Sequence, residues 1–337
     1  MKVGVIGCGY WGAKHVRVLS SLPDVDLVVA IDSRPERTEP LKRMFPSALT
    51  ATDVDEVMDL IDAVIIATPP LSHAPLARKL LAAGKHVMVE KPMTASAAEA
   101  RELIAMADEG GLTLATGHTF EHNAVVRALR DMVSAGDLGK IYYIDTARLN
   151  LGLYQPDCNV VWDLAPHDIS IINLVLGSTP TAVSAWGSAH AGSPFEDVAY
   201  LRLEYGHIDA TANVHVSWLD PAKVRRVTVV GSQRMAVYDD MLDEGRLRIY
   251  DKGVQAPATV DGGIPMSYRY GGIHSPHIPL TEPLAEVDRD FVASAIAGTT
   301  PAVDGRRGLA VVEVLEAAQE SMRSGGRFVE IAQHATV

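Results

Sequence analysis

The chain has 337 residues, of which 47% are apolar and 21% charged, a composition that excludes a disordered chain and leaves room for two globular domains. Its formal net charge is −12 with no basic run, which argues against a nucleic-acid groove or an anionic membrane surface and leaves any phosphate-bearing ligand dependent on locally placed Arg or Lys. Two cysteines, Cys8 and Cys158, exclude a disulfide framework, no apolar run approaches the roughly 18–20 residues of a membrane span, and the N-terminal apolar run stops at Gly7, so a reducing, cytoplasmic location is expected.

An apolar strand at 3–6 runs straight into Gly7-Cys8-Gly9-Tyr10-Trp11-Gly12, and residues 13–19 read as an amphipathic helix. Strand, glycine turn and helix in that order suit a dinucleotide pyrophosphate. Gly7 permits the turn, Gly9 lets the backbone approach the phosphates, and Gly12 lets helix and strand pack closely. The phosphates then meet free N–H groups at the positive end of the helix. A second strand at 25–31 ends in Asp32, twenty residues past Gly12, where a carboxylate would accept hydrogen bonds from the adenosine ribose. Asp32 favours NAD over NADP, and Arg34 and Arg37 nearby would soften that preference.

A helix at 35–44 follows, then an apolar strand at 63–67 broken by Thr68-Pro69-Pro70. A helix at 73–83 ends at Gly84, and a strand at 86–89 is closed by Glu90-Lys91-Pro92. A helix at 96–108 and a strand at 112–115 complete a doubly wound parallel sheet over residues 1–120. Residues 121–337 differ. A helix at 124–134, a strand at 140–150 and a helix from near Trp162 to Gly177 precede β-like runs at 182–188, 199–205, 207–218, 224–230, 235–238 and 247–249. These predict an α+β domain with a large, mostly antiparallel sheet. Residues 252–280 read as a long loop or arm, and helices at 283–297 and 306–322 end the domain. One face of that sheet must take the helices, and an apolar or aromatic opposite face predicts a homodimer or homotetramer.

Two constellations carry chemistry. Lys91 lies at the C-terminal end of a parallel strand, where ligands of α/β sheets bind, and a cis bond to Pro92 would aim it; its plain alternative is a solvated strand end. Asp163 and His167 stand four residues apart at a helix start and face the same way, with Pro166 placed in the first turn. A carboxylate beside an imidazole can orient it as a general base; the plain alternative is a capped helix with an incidental histidine. His118, Arg148, Asn150, Asn159 and Trp162 are candidate substrate contacts, Arg148 for a phosphate or carboxylate and the two asparagines for hydroxyls. His274 and His277 have metal-compatible spacing but no third ligand, so no metal is expected.

With Ala67-Thr68-Pro69-Pro70, His73, Glu90-Lys91-Pro92 and Asp163-x-x-x-His167, the chain resembles the glucose–fructose oxidoreductase/inositol dehydrogenase (Gfo/Idh/MocA) family over essentially its whole length. The resemblance implies a Rossmann domain followed by an α/β domain whose open sheet forms the oligomer interface. It also implies catalysis by Lys91, Asp163 and His167, with Lys91 and His167 at the substrate; His118, read from its place after the last Rossmann strand, would border the nicotinamide or serve as polar packing. NAD, with NADP as the alternative, would be held by Gly7, Gly9, Tyr10, Trp11, Gly12, Asp32, Thr68, Pro69, His73, Glu90 and Lys91. The implied activity is dehydrogenation, or the reverse reduction, at a secondary alcohol of a sugar, sugar nucleotide or cyclitol. An NAD-dependent glycosidase, working by transient oxidation and elimination, would use the same residues without net cofactor turnover. A non-enzymatic dinucleotide sensor would not need the base. Where many relatives have a glycine-rich approach to the Asp-x-x-x-His helix, this chain has Gln155-Pro156-Asp157-Cys158-Asn159-Val160-Val161-Trp162, so the substrate cannot be carried over.

Overall fold

The computed structural model describes residues 1–255 and 266–332. Two units emerge, one made of residues 1–122 and 281–313, the other of 123–280 and 314–337. In the first unit, β1 (Lys2–Ile6), β2 (Leu27–Ile31), β3 (Leu49–Ala51), β4 (Ala63–Ile66), β5 (His86–Val89) and β6 (Leu114–Thr116) pair in the order β3-β2-β1-β4-β5-β6. Every pair is parallel. Helices α1 (Tyr10–Leu19), α2 (Pro35–Met44), α3 (His73–Ala82) and α4 (Ala97–Gly110) alternate with the strands. Residues of β4 are buried throughout, because a central parallel strand is covered on both faces and cannot alternate. Sequence patterning missed β3, whose three residues include two exposed ones and leave no periodic signal.

In the second unit, α5 (Ala124–Ser134) starts at Asn123, whose side chain accepts hydrogen bonds from the Val125 and Val126 N–H groups. Then come β7 (Ile141–Leu151) and α6 (Val160–Leu176), followed by β8 (Ala182–Ser188), β9 (Val198–Tyr205), β10 (Ala210–Ser217), β11 (Leu219–Gly231), β12 (Met235–Asp239), β13 (Leu247–Gln255) and β14 (Ser267–His274). They form one nine-stranded sheet with β15 (Val329–Glu330), in the order β14-β13-β12-β11-β7-β10-β9-β8-β15. Among the described residues only the β7–β10 pair is parallel. Along β9, Ala199, Leu201, Leu203 and Tyr205 are buried while Tyr200 and Arg202 lie on the other face. That other face exposes Trp186, whose ring stacks on Tyr200 at 5.0 Å, with His215 stacked beyond at 4.0 Å.

Three expectations change. Residues 256–265 of the expected loop at 252–280 lie outside the described residues, and part of the rest is strand: β13 runs on to Gln255 and β14 pairs with it. β14 buries neither face, so backbone pairing alone defines it and no alternation announces it. Helix α6 begins at Val160 rather than near Trp162, because Asn159 caps it. Pro166 therefore falls in the second turn, where its missing N–H leaves the Trp162 carbonyl without a helical partner. Finally, the chain returns to the first unit. Leu284, Val287, Phe291 and Val292 of α7 (Pro283–Ala297) bury in one cluster with Val16 and Leu19 of α1. The first half of α8 (Gly305–Arg323) belongs there too, so a single linear boundary at 120 does not divide the chain. Among the described residues, no helix is long and apolar enough to cross a membrane.

Candidate active site

The glycine turn forms as its residues dictate. Gly7 has φ +88°, and a Cβ there would come 2.7 Å from the Ala67 carbonyl oxygen; one on Gly12 would come 1.9 Å from the Gly7 oxygen. Helix α1 therefore starts pressed against the turn. Its N-cap, Gly9, provides no side-chain bond, and no acid stands in its first turn, so its leading N–H groups suit an anion. The buried Asp32 carboxylate accepts the Cys8 N–H at 2.9 Å and the Arg34 N–H at 3.0 Å. The guanidinium groups of Arg34 and Arg37 lie 3.6 and 3.7 Å from it. Tyr10 and Trp11 make an edge-on pair at 5.4 Å, with the Lys14 ammonium over both rings. The cradle without side chains, the unfilled helix terminus and the fixed carboxylate fit a dinucleotide.

At the ends of β4 and β5, Thr68 Oγ1 accepts from the Ser72 hydroxyl, and Pro69 leads into a 3₁₀ turn at Pro70–Ser72. His73, expected beside the cofactor, lies between two backbone carbonyls, 2.9 Å from Pro92 and 2.8 Å from Thr68. Burial lowers its pKa, so the neutral ring donates to one of them at a time and ties the two loops together. The Lys91–Pro92 bond is cis. Glu90 is buried; its Oε1 lies 3.1 Å from His15 Nε2, and its Oε2 accepts the Lys91 N–H at 3.1 Å. His118 follows β6, fully buried, and neither ring nitrogen has a hydrogen-bond partner among the described residues. Burial pushes it down to about 4; Glu90 opposes this, while Lys91 and Arg307 reinforce it. It is a neutral imidazole beside the Lys91 loop.

The second unit carries Asp163 and His167 one turn apart on α6. Asp163 Oδ2 accepts the Trp218 indole N–H at 2.9 Å. Tyr154 packs against Trp218 with ring centres 5.3 Å apart, and its hydroxyl donates to Asp197 at 3.0 Å. Asp197 also accepts the His190 backbone and ring N–H groups, each at 2.8 Å. Sequence reasoning missed Trp218, Asp197 and His15. Trp218 closes a strand run and His15 sits in an amphipathic helix, so both read as packing. Asp197 carries no spacing signal at all.

Two expected substrate contacts have internal roles. Arg148 is buried in a two-pronged pair with Asp168, at 2.7 and 3.2 Å, which engages its Nε and Nη2. Asn159 accepts the Trp162 N–H through its carbonyl oxygen, while its amide donates to Glu196 at 2.9 Å and Gln319 at 2.8 Å. Asn150 and Trp162 remain half-buried. Among the described residues no cluster of three His, Cys, Asp or Glu side chains is placed to hold a metal.

Two family descriptions match this chain. "Oxidoreductase family, NAD-binding Rossmann fold" covers residues 1–118, and "GFO/IDH/MocA C-terminal domain" covers 126–237. The UDP-N-acetylglucosamine 3-dehydrogenase of Acidithiobacillus ferrooxidans is 31% identical over 336 residues, 95% of this chain and 98% of that protein. The chain belongs to the Gfo/Idh/MocA oxidoreductase family. As a family member it is an NAD(P)-dependent oxidoreductase, with its NAD-binding Rossmann domain in the first unit. The scyllo-inositol 2-dehydrogenase (NADP(+)) IolW of Bacillus subtilis is 27% identical over 96% of this chain and 94% of its own. Among solved structures, GenD2 from gentamicin A biosynthesis in complex with NAD superimposes with a TM-score of 0.82 at 27% identity, covering 99% of this chain and 97% of that one.

Proposed function

We propose that this oxidoreductase interconverts a secondary alcohol and a ketone on a sugar, sugar nucleotide or cyclitol, with Lys91, Asp163 and His167 as its catalytic residues. The observation that carries the reading is Asp163, anchored by the Trp218 indole one helical turn before His167. A carboxylate fixed in this way can hold an imidazole in one tautomer. His167 takes the proton of the reacting hydroxyl as general base, and the Lys91 ammonium stabilises the alkoxide that develops. When bound, NAD supplies the hydride acceptor. Gly7, Gly9 and Gly12 would pass the pyrophosphate to the α1 terminus, Asp32 would hold the ribose, and the neutral His118 would offer one donor and one acceptor to ligand hydroxyls.

Similarity to the nucleotide-sugar dehydrogenase supports a nucleotide-linked sugar as first substrate choice. Any phosphate contact from Arg148 would come from the side of the guanidinium that Asp168 does not engage. The exposed Trp186–Tyr200 face supports a homo-oligomer formed across the second unit's sheet. The test is a panel of nucleotide sugars, free sugars and inositols, followed by nicotinamide absorbance. Net reduction of NAD by a sugar nucleotide is the expected result. Preference for free inositol would move the reading to a polyol, and no net reduction by any member would reject the dehydrogenase.

A further inference from the structure

The dinucleotide helix carries His15 on its buried face, three residues past Gly12. It is completely buried, and its ring nitrogens face two carboxylates: Nδ1 lies 2.7 Å from Asp288 Oδ1 on α7, and Nε2 lies 3.1 Å from Glu90 Oε1 at the end of β5. Ionised carboxylates only accept hydrogen bonds, and a neutral imidazole has a single N–H. Serving both partners therefore requires the imidazolium. Burial alone would expel its proton, but Asp288 and Glu90 outweigh burial and lift His15 to about 10. Glu90 is held below its usual range, since His15 and Lys91 overcome its own burial. Burial pushes Asp288 up, and the charge on His15 opposes that rise, while Glu282 lies beyond it and reinforces it.

Glu90 is clamped on three sides. Beyond the His15 contact, its Oε2 accepts the Lys91 N–H, and a Cβ on Gly117 would come 3.0 Å from its carboxyl carbon. A path thus runs from α7 through α1 to the backbone of the residue that carries the proposed catalytic ammonium. Nothing in the dinucleotide cradle needs a histidine there.

We propose that His15 is a positioning residue for hydride transfer: a buried cation that fixes Glu90, and through Glu90 the Lys91 backbone, so that the lysine side chain starts from one place. The same cation ties the helix that would receive the pyrophosphate to the strand that ends at Lys91. This inference rests on the catalytic reading of Lys91. The charges facing His15 are Asp288 from α7 and Glu90 from β5, and the Lys91 ammonium balances the net negative charge of that triad.

The test compares wild type, His15→Gln, the double variant His15→Gln/Asp288→Asn, Glu90→Gln and Lys91→Ala, using the best substrate of the panel. Readouts are kcat and KM against pH, NAD affinity by quenching of tryptophan fluorescence, and thermal unfolding. His15→Gln should lose on the order of 10²-fold in kcat, the scale of a small misplacement, with a displaced pH profile and a smaller change in NAD affinity. The double variant removes the uncompensated Asp288 charge, so it should regain thermal stability without regaining kcat. If it regains both, with the wild-type pH profile, His15 serves packing alone and the inference is overturned. Should both His15 variants fail to fold, Glu90→Gln breaks the same link with an isostere, and wild-type kcat there overturns the inference equally. Near-normal turnover by Lys91→Ala would instead sink the catalytic reading itself.

Discussion

At the scale of single residues, Asp32 is the proposed determinant of cofactor choice. Its carboxylate is fixed by the Cys8 and Arg34 N–H groups, where it would meet the ribose and repel a 2′-phosphate. Arg34 and Arg37 already stand beside it, so Asp32→Ser should leave two cations free for that phosphate. The NAD to NADP ratio of kcat/KM should exceed one in wild type and fall at least about tenfold in the variant, a change of about 1.4 kcal/mol. A wild-type preference for NADP would contradict this. His15 gives a second prediction through its proton. Its folded value of about 10 lies above the ordinary 6.5, so its ion pairs stabilise the fold fully below about pH 6.5. That contribution declines as the pH rises and is gone above about 10. The gap in unfolding temperature between wild type and His15→Gln should therefore be widest near neutrality or below and shrink towards pH 10. A gap that does not change with pH would reject the charge.

At the scale of elements, α6 shows how a cap sets a site. Asn159 fixes the first turn and binds Glu196 and Gln319, so Asp163 and His167 inherit their places from it. Asn159→Ala should cost about 1–2 kcal/mol in a denaturant melt, the upper part of the usual cap range. A loss below a few tenths would mean that the cap is dispensable. The sequence states the cradle and α6 almost fully, because glycine spacing and i, i+4 placement are local properties. It hides what depends on partners far along the chain. Arg148 reads as a pocket residue, with no local sign of the pair it forms with Asp168 on another element. His73 reads as a cofactor contact, with no local sign of the two loop carbonyls that close around it. Asn159 reads as a sugar ligand, though an asparagine ahead of an apolar run is also a cap signal. Strand β14 carries no buried face and so no pattern to detect.

At the scale of the whole molecule, the division into units was legible except for the return of residues 281–313. That return rests on α7 apolar residues meeting α1, a match that spacing along one helix cannot announce. The second unit's sheet exposes Trp186 to 53% beside Tyr200, an aromatic face suited to a second copy of the chain. Light scattering at micromolar concentration should give a dimer or tetramer, and Trp186→Lys should lower the mass; a monomeric wild type would contradict the proposed interface. The central claim is that His167 acts as the base for a reaction whose hydride goes to NAD. It is tested most directly by measuring kcat/KM and the NAD dissociation constant of His167→Ala side by side with wild type. The variant should lose about 10²–10⁴-fold in kcat/KM with NAD binding within a few-fold of wild type. Turnover within a few-fold of wild type would remove His167 from the mechanism.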